Sequence, residues 1–220
     1  MDWVAVGLTL RLAALTTLIL AAVGLPLAYW LATTQRAWRP VVDAAVAVPL
    51  LLPPTVLGFY FLMSTGPNST LGRLYEQVFD GTLPFSFTGI LLASVVYNLP
   101  FAVRPFASGF AAVDRRLLEA ARCLGASGVR TFAAVVLPLS WPSVLAGLVL
   151  SFAHTVGEFG VVLMVGGNIP GVTRTIALAI YDDVQALDYA AANEASAVLL
   201  IFAVSVLAVT YSLQRRVLPL

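Results

Sequence analysis

Five apolar windows, at about 12–32, 43–63, 87–103, 133–156 and 193–213, dominate this chain and narrow what it can fold into. Each approaches the roughly 20 residues with which a helix crosses a hydrocarbon core about 30 Å thick. Inside such a core every backbone donor and acceptor needs a partner, which a helix supplies from within one segment. Composition agrees, since 60% of the 220 residues are hydrophobic and 10% are charged, outside the range of an ordinary soluble domain. The expected fold class is all-α and membrane-integral, one domain over residues 1–220 with five transmembrane helices.

The first window is longer than the apolar part of a secretory signal, no basic cluster precedes it, and Asp2 stands near its start, so it reads as a retained anchor. Between the fourth and fifth windows, residues 157–188 contain two apolar pieces, Phe159–Val165 and Thr175–Tyr181, each too short to span. This stretch is expected to be re-entrant or interfacial. Prolines interrupt several windows: Pro26, Pro49, Pro53, Pro54, Pro100, Pro138 and Pro142. Each removes a backbone donor and is expected to kink or break its helix, and the Pro53–Pro54 pair is read as a gate or pathway element.

Five spans put the termini on opposite sides, and arginine placement selects between the two orientations. All twelve basic residues are Arg. With the N-terminus outside and the C-terminus cytoplasmic, nine face inward (Arg36, Arg39, Arg104, Arg115, Arg116, Arg122, Arg130, Arg215 and Arg216) against Arg11, Arg73 and Arg174 outside. The positive-inside rule favours that orientation.

Other chemistries are poorly supplied. The single cysteine, Cys123, rules out an internal disulfide, and with one histidine no Cys/His metal cluster is expected. No phosphate-binding loop of the form GxxxxGK[ST] occurs and there is no lysine to serve one, so ATP hydrolysis is not expected of this chain. A membrane-embedded enzyme would need facing catalytic groups, and only His154 and Glu158 stand isolated in apolar sequence. A stand-alone channel or carrier would more typically carry an inverted repeat or several mid-membrane ionisable groups. No nucleic-acid partner is expected.

The longest inward loop, 104–132, holds the sequence Asp114-Arg115-Arg116-Leu117-Leu118-Glu119-Ala120-Ala121-Arg122-Cys123-Leu124-Gly125, punctuated as one short helix. Asp114 is placed to cap its start and Gly125 to end it in a left-handed conformation. Leu117, Leu118, Ala121 and Leu124 fall on one face, with Arg115, Glu119 and Arg122 opposite. Such a helix can dock on a partner or lie on the membrane.

Glu119-Ala120-Ala121, then Gly125 and later Leu137-Pro138, resembles the EAA loop of the permease subunits of ATP-binding-cassette importers of type I. The resemblance implies that Leu117, Leu118, Glu119, Ala120, Ala121 and Gly125 couple the permease to a separate ATPase. It extends over nearly the whole chain and narrows toward molybdate permeases through Val48–Gly58, Leu99–Arg104, Gly157-Glu158-Phe159-Gly160 and Gly167–Thr175. Sulfate, thiosulfate and tungstate permeases have similar stretches. The implied assembly is two copies of this chain, two cytoplasmic ATPases that bind ATP and Mg, and an external oxyanion-binding protein, in a bacterial or archaeal plasma membrane. No cofactor is implied on this chain.

Glu158 is expected to be structural, accepting hydrogen bonds from backbone or pairing with Arg174, because a carboxylate repels a dianion. Arg174 itself stays open between attracting the anion and being an outer arginine with no transport role. His154 reads as a packed, hydrogen-bonded side chain. Asn98, Ser151, Thr155 and Asn168 are candidates for a neutral polar path, or equally for hydrogen bonds between helices.

Overall fold

The structure is a computed structural model that describes residues 1–217. Among the described residues all regular structure is helical. The side chains of Arg215 and Arg216, which enter the arginine count, lie outside the described ones.

The helix α1 (Trp3–Thr33) begins nine residues before the first apolar window because Asp2 caps it, its carboxylate accepting from the N–H groups of Val4 and Ala5 at 3.0 Å. Hydropathy does not register such a cap. Polar residues inside the helix return their hydroxyls to the preceding turn, as Thr9 does to the Ala5 carbonyl at 2.7 Å.

The second apolar window is two helices, α2 (Arg39–Leu51) and α3 (Pro54–Thr65), bent by 114°. Leu52 and Pro53 each precede a proline, which disfavours the helical basin, and both sit near ψ 138. A short amphipathic helix, α4 (Thr70–Phe79), follows and leads to α5 (Phe87–Ala111).

The end expected for the third span at 103 is therefore too early. Arg104 continues the helix, pairing with Asp43 on α2 at 3.6 Å where both are half exposed, so its charge does not terminate the apolar segment. Not every proline breaks its helix: Pro26 stays inside α1 and Pro100 and Pro105 inside α5.

After α6 (Arg115–Cys123) and α7 (Gly128–Thr131), a π-helical turn (Phe132–Val136) and α8 (Leu137–Leu139) meet α9 (Trp141–Val156) at a 76° bend. The bend is anchored where buried Ser140 donates its hydroxyl to the Gly109 carbonyl of α5 at 3.0 Å. Then come α10 (Gly160–Gly166), α11 (Ile176–Gln185) and α12 (Tyr189–Val217). Unbroken, α1, α5 and α12 are long and apolar enough to cross a membrane, and the count reaches five if each of the two bent pairs is one span. Within 157–188 neither α10 nor α11 is long enough to span.

Packing falls into two clusters, one at each end of the α1–α5 pair. One gathers Leu20, Leu31, Val46, Phe106, Phe110 and Val144; the other gathers Leu12, Leu57, Ile90, Val161, Val165 and Leu178. α10 is thus a core element, with Val161, Val162 and Val165 fully buried. In lipid, small residues that admit a neighbour drive association more than water exclusion does. Phe106 shows this, lying against Gly24 of α1 and Gly147 of α9, where an added Cβ on Gly147 would stand 2.7 Å from its ring.

Candidate coupling helix and cleft at Glu158

The helix α6 is shaped by its own ends. The Asp114 carboxylate accepts from Arg116 N–H at 2.9 Å. At the other end Gly125 adopts φ +77, and the N–H groups of Gly125 and Ala126 donate back to the carbonyls of Arg122 and Ala121 at 2.9 and 3.0 Å. That pair of bonds is the Schellman pattern, which needs a left-handed residue at Gly125.

The four residues assigned to one apolar face divide. Leu118 and Ala121 are half buried, Leu118 against the cluster of Phe110 and Phe132, whereas Leu117 is 47% and Leu124 88% exposed. The arc that faces the core is centred between positions 118 and 121, which leaves Leu117 and Leu124 on its rim. Together with exposed Ala120 they form an outward apolar stripe at i, i+3, i+7 spacing, extended by Val129 at 81% exposure and flanked by Glu119.

At the opposite end, α9 stops at Val156 and Glu158 sits in the break before α10. Its side chain is buried and does not meet Arg174. Instead Glu158 Oε2 accepts from Asn98 Nδ2 at 3.1 Å, and the same amide donates to the Ser94 carbonyl at 2.9 Å. Asn98 Oδ1 is left as an acceptor, so the 2.9 Å contact with His154 Nδ1 makes that ring nitrogen the donor. The imidazole stacks on Phe101 with ring centres 3.9 Å apart.

Glu158 Oε1 has no partner among the described residues. It borders a cleft of about 600 Å³ whose walls include Pro54, Thr55, Tyr97, His154 and Phe159. Across that cleft α3 and α10 nearly touch: a Cβ on Gly160 would stand 2.7 Å from Pro54 Cβ. Pro53 caps the same helix start.

Ser151 and Thr155 are fully buried and bond to the carbonyls of Gly147 and Ser151, so they face the helix packing and not the cleft. Asn168 and Arg174 belong to a third arrangement. Asn168, at φ +60, donates to both oxygens of Asp182 at 2.9 Å, and Arg174 pairs with Asp182 at 2.7 Å. Neither alternative offered for Glu158 holds: Arg174 pairs with an acid eight residues along the chain, and the donor to Glu158 is the Asn98 side chain and not backbone. Thr173 closes the turn by donating to the Gly166 carbonyl, and Thr9 of α1 accepts from Ile176 N–H.

Asp182, Thr9 and Tyr97 carry no sequence signal of their own, because their partners are distant.

The description "Binding-protein-dependent transport system inner membrane component" fits this chain over residues 10–219. The chain belongs to that family. It is 49% identical to the "Molybdenum transport system permease protein ModB" of Azotobacter vinelandii, over 97% of this chain and 95% of that protein. With the protein of the same description from Escherichia coli (strain K12) it shares 38% identity over 84% of this chain and 80% of that one. Its fold matches a chain from the crystal structure of a bacterial alginate ABC transporter with TM-score 0.79, covering 97% of this chain and 78% of that one at 16% identity. This permease is accordingly a multi-pass inner-membrane component of a transport system, with the helical fold of ABC importer permeases.

Proposed function

We propose that this permease forms the path for molybdate in an ATP-driven importer. The observation that carries the reading is 49% identity, along nearly the full length of both chains, to a protein described as a molybdenum transport permease. The oxyanion-permease resemblance of Gly157–Gly160 and Gly167–Thr175 supports it. Two copies of the chain would work with two cytoplasmic ATPases and an external oxyanion-binding protein. ATP and Mg belong to the ATPases, and this subunit performs no covalent step.

In this reading α6 docks on the ATPase through Leu117, Ala120 and Leu124 with Glu119 beside them, and Gly125 sets the angle of the helix. The path passes the cleft at Glu158. Two helices break beside it, α2–α3 at Pro53–Pro54 and α9–α10 at Gly157–Glu158, and the breaks meet at the Pro54–Gly160 contact. Small rotations at those breaks would widen or close the cleft. The Glu158 carboxylate does not hold a dianion. Its role is to fix α5, α9 and α10 through Asn98, leaving a weak path that lets the ion go on. Asp182 neutralises Arg174, which favours the structural role for that arginine.

Cells that lack their own molybdate importer should regain molybdate uptake when given this permease with its ATPase and binding protein. Restored sulfate uptake without molybdate uptake would replace molybdate by sulfate. Orientation, with the N-terminus outside, has its own check. An impermeant maleimide should label Ser69→Cys in a Cys123→Ala background on intact cells and should leave native Cys123 unlabelled until the membrane is opened. The reverse pattern would invert the topology.

A further inference from the structure

The helix α4 presents an apolar face that no described residue of its chain covers. Leu71, Leu74, Val78 and Phe79 are 60%, 54%, 72% and 65% exposed, and Tyr75 stacks on Phe79 with ring centres 4.7 Å apart. Their spacing draws one stripe, with Arg73, Glu76 and Gln77 on the other side. Contact with the rest of the chain uses neither face. It runs through Gly72, which is buried on the turn at the end of α3, where a Cβ would stand 2.1 Å from the Gly66 carbonyl oxygen.

The tethers of α4 restrict what can meet that stripe. Four residues, 66–69, join it to the end of α3, and seven, 80–86, join it to the start of the long span α5. The first tether reaches at most about 14 Å. The second is pinned, with Leu83 buried and Phe85 N–H donating to the Val165 carbonyl at 2.8 Å. In a multi-pass membrane protein α4 is thus held at the boundary where α3 and α5 leave the bilayer. The helices it joins expose apolar side chains as well, at Tyr60, Met63 and Leu92.

We propose that α4 lies flat in that membrane interface, its stripe sunk at the boundary between headgroups and acyl chains and its polar face in water. The opposed charges of Arg73 and Glu76 make the attachment one of apolar burial, insensitive to the charge of the lipid. Because α4 is seated on the end of α3, it also gives that helix, which carries Pro54 at its other end, a lipid-held support.

The test uses the permease–ATPase complex in vesicles of phosphatidylethanolamine and phosphatidylglycerol, with a single environment-sensitive fluorophore on Val78→Cys or Gln77→Cys in a Cys123→Ala background. Nitroxide-labelled phosphatidylcholine should quench the Val78 probe several-fold more than the Gln77 probe, and aqueous iodide should do the opposite. Neither result should change with salt or with added binding protein. Equal iodide quenching at both positions would put the stripe in water and overturn the proposal. Protection of Val78 from both quenchers, throughout or only on adding the binding protein, would mean that protein covers it, and would overturn the proposal as well. Leu71→Cys supplies a second stripe position should Val78→Cys fail to assemble.

Discussion

The helix α6 and the Asn98–His154–Glu158 cluster place their side chains by opposite means. Every bond that shapes α6 lies between Asp114 and Ala126, and none of its residues is buried. The cluster joins residues 56 and 60 positions apart, with Asn98 and Glu158 buried in helix packing. A docking surface built locally keeps its shape while the spans around it move. A cluster that ties three helices together reports each change in how they pack.

The largest expected effect follows from that contrast. Asn98→Leu removes the partners of Glu158 and His154 at once and leaves a buried carboxylate with neither oxygen bonded, which should destabilise the permease by about 3 kcal/mol or more. Thermal unfolding of the detergent-solubilised protein checks it. A change as small as that from Thr70→Ala on the surface would mean that the cluster contributes nothing to the packing.

An intermediate effect sharpens the comparison around the break at Glu158. In double-mutant cycles Arg174 and Asp182 should couple by about 1 kcal/mol, as a partly exposed ion pair does, while Arg174 and Glu158 should be additive. Coupling between Arg174 and Glu158 would restore one of the two alternatives that the sequence left open for Glu158.

The smallest effect on the unfolding of the spans belongs to α6. Gly125→Val forces a β-branched residue into φ +77, where no neighbour lies within 4 Å, so strain alone opposes it. That strain is on the order of 1 kcal/mol or more. Unfolding of the spans should hardly change, yet uptake and co-purification of the ATPase should fall, and Glu119→Lys should weaken co-purification likewise. If both variants transport as the parent does, α6 is a connector and the two regions do not divide the work in this way.

Much of the architecture was legible because it depends on neighbours in the chain. The apolar windows mark the spans, Asp114 and Gly125 bound α6, and Pro53–Pro54 marks the break that becomes the 114° bend. Span ends were less legible, since a cap at Asp2 or an ion pair at Arg104 extends a helix without raising its hydropathy. The path candidates were less legible again. Ser151 and Thr155 resemble Asn98 in polarity, yet each finds a carbonyl one turn back and needs no cavity.

The amino-acid sequence alone determined the helical class, the places where helices start and break, and the two-ended punctuation of α6. Hydrophobic period, capping and proline sterics all act within a few residues. Tertiary structure decided which acid Arg174 pairs with, which of Leu117 and Leu118 faces inward, and that the breaks at Pro54 and Gly160 meet beside Glu158. Those choices lie between partners of nearly equal local merit, and only the packing of α3, α5, α9 and α10 on one another separates them.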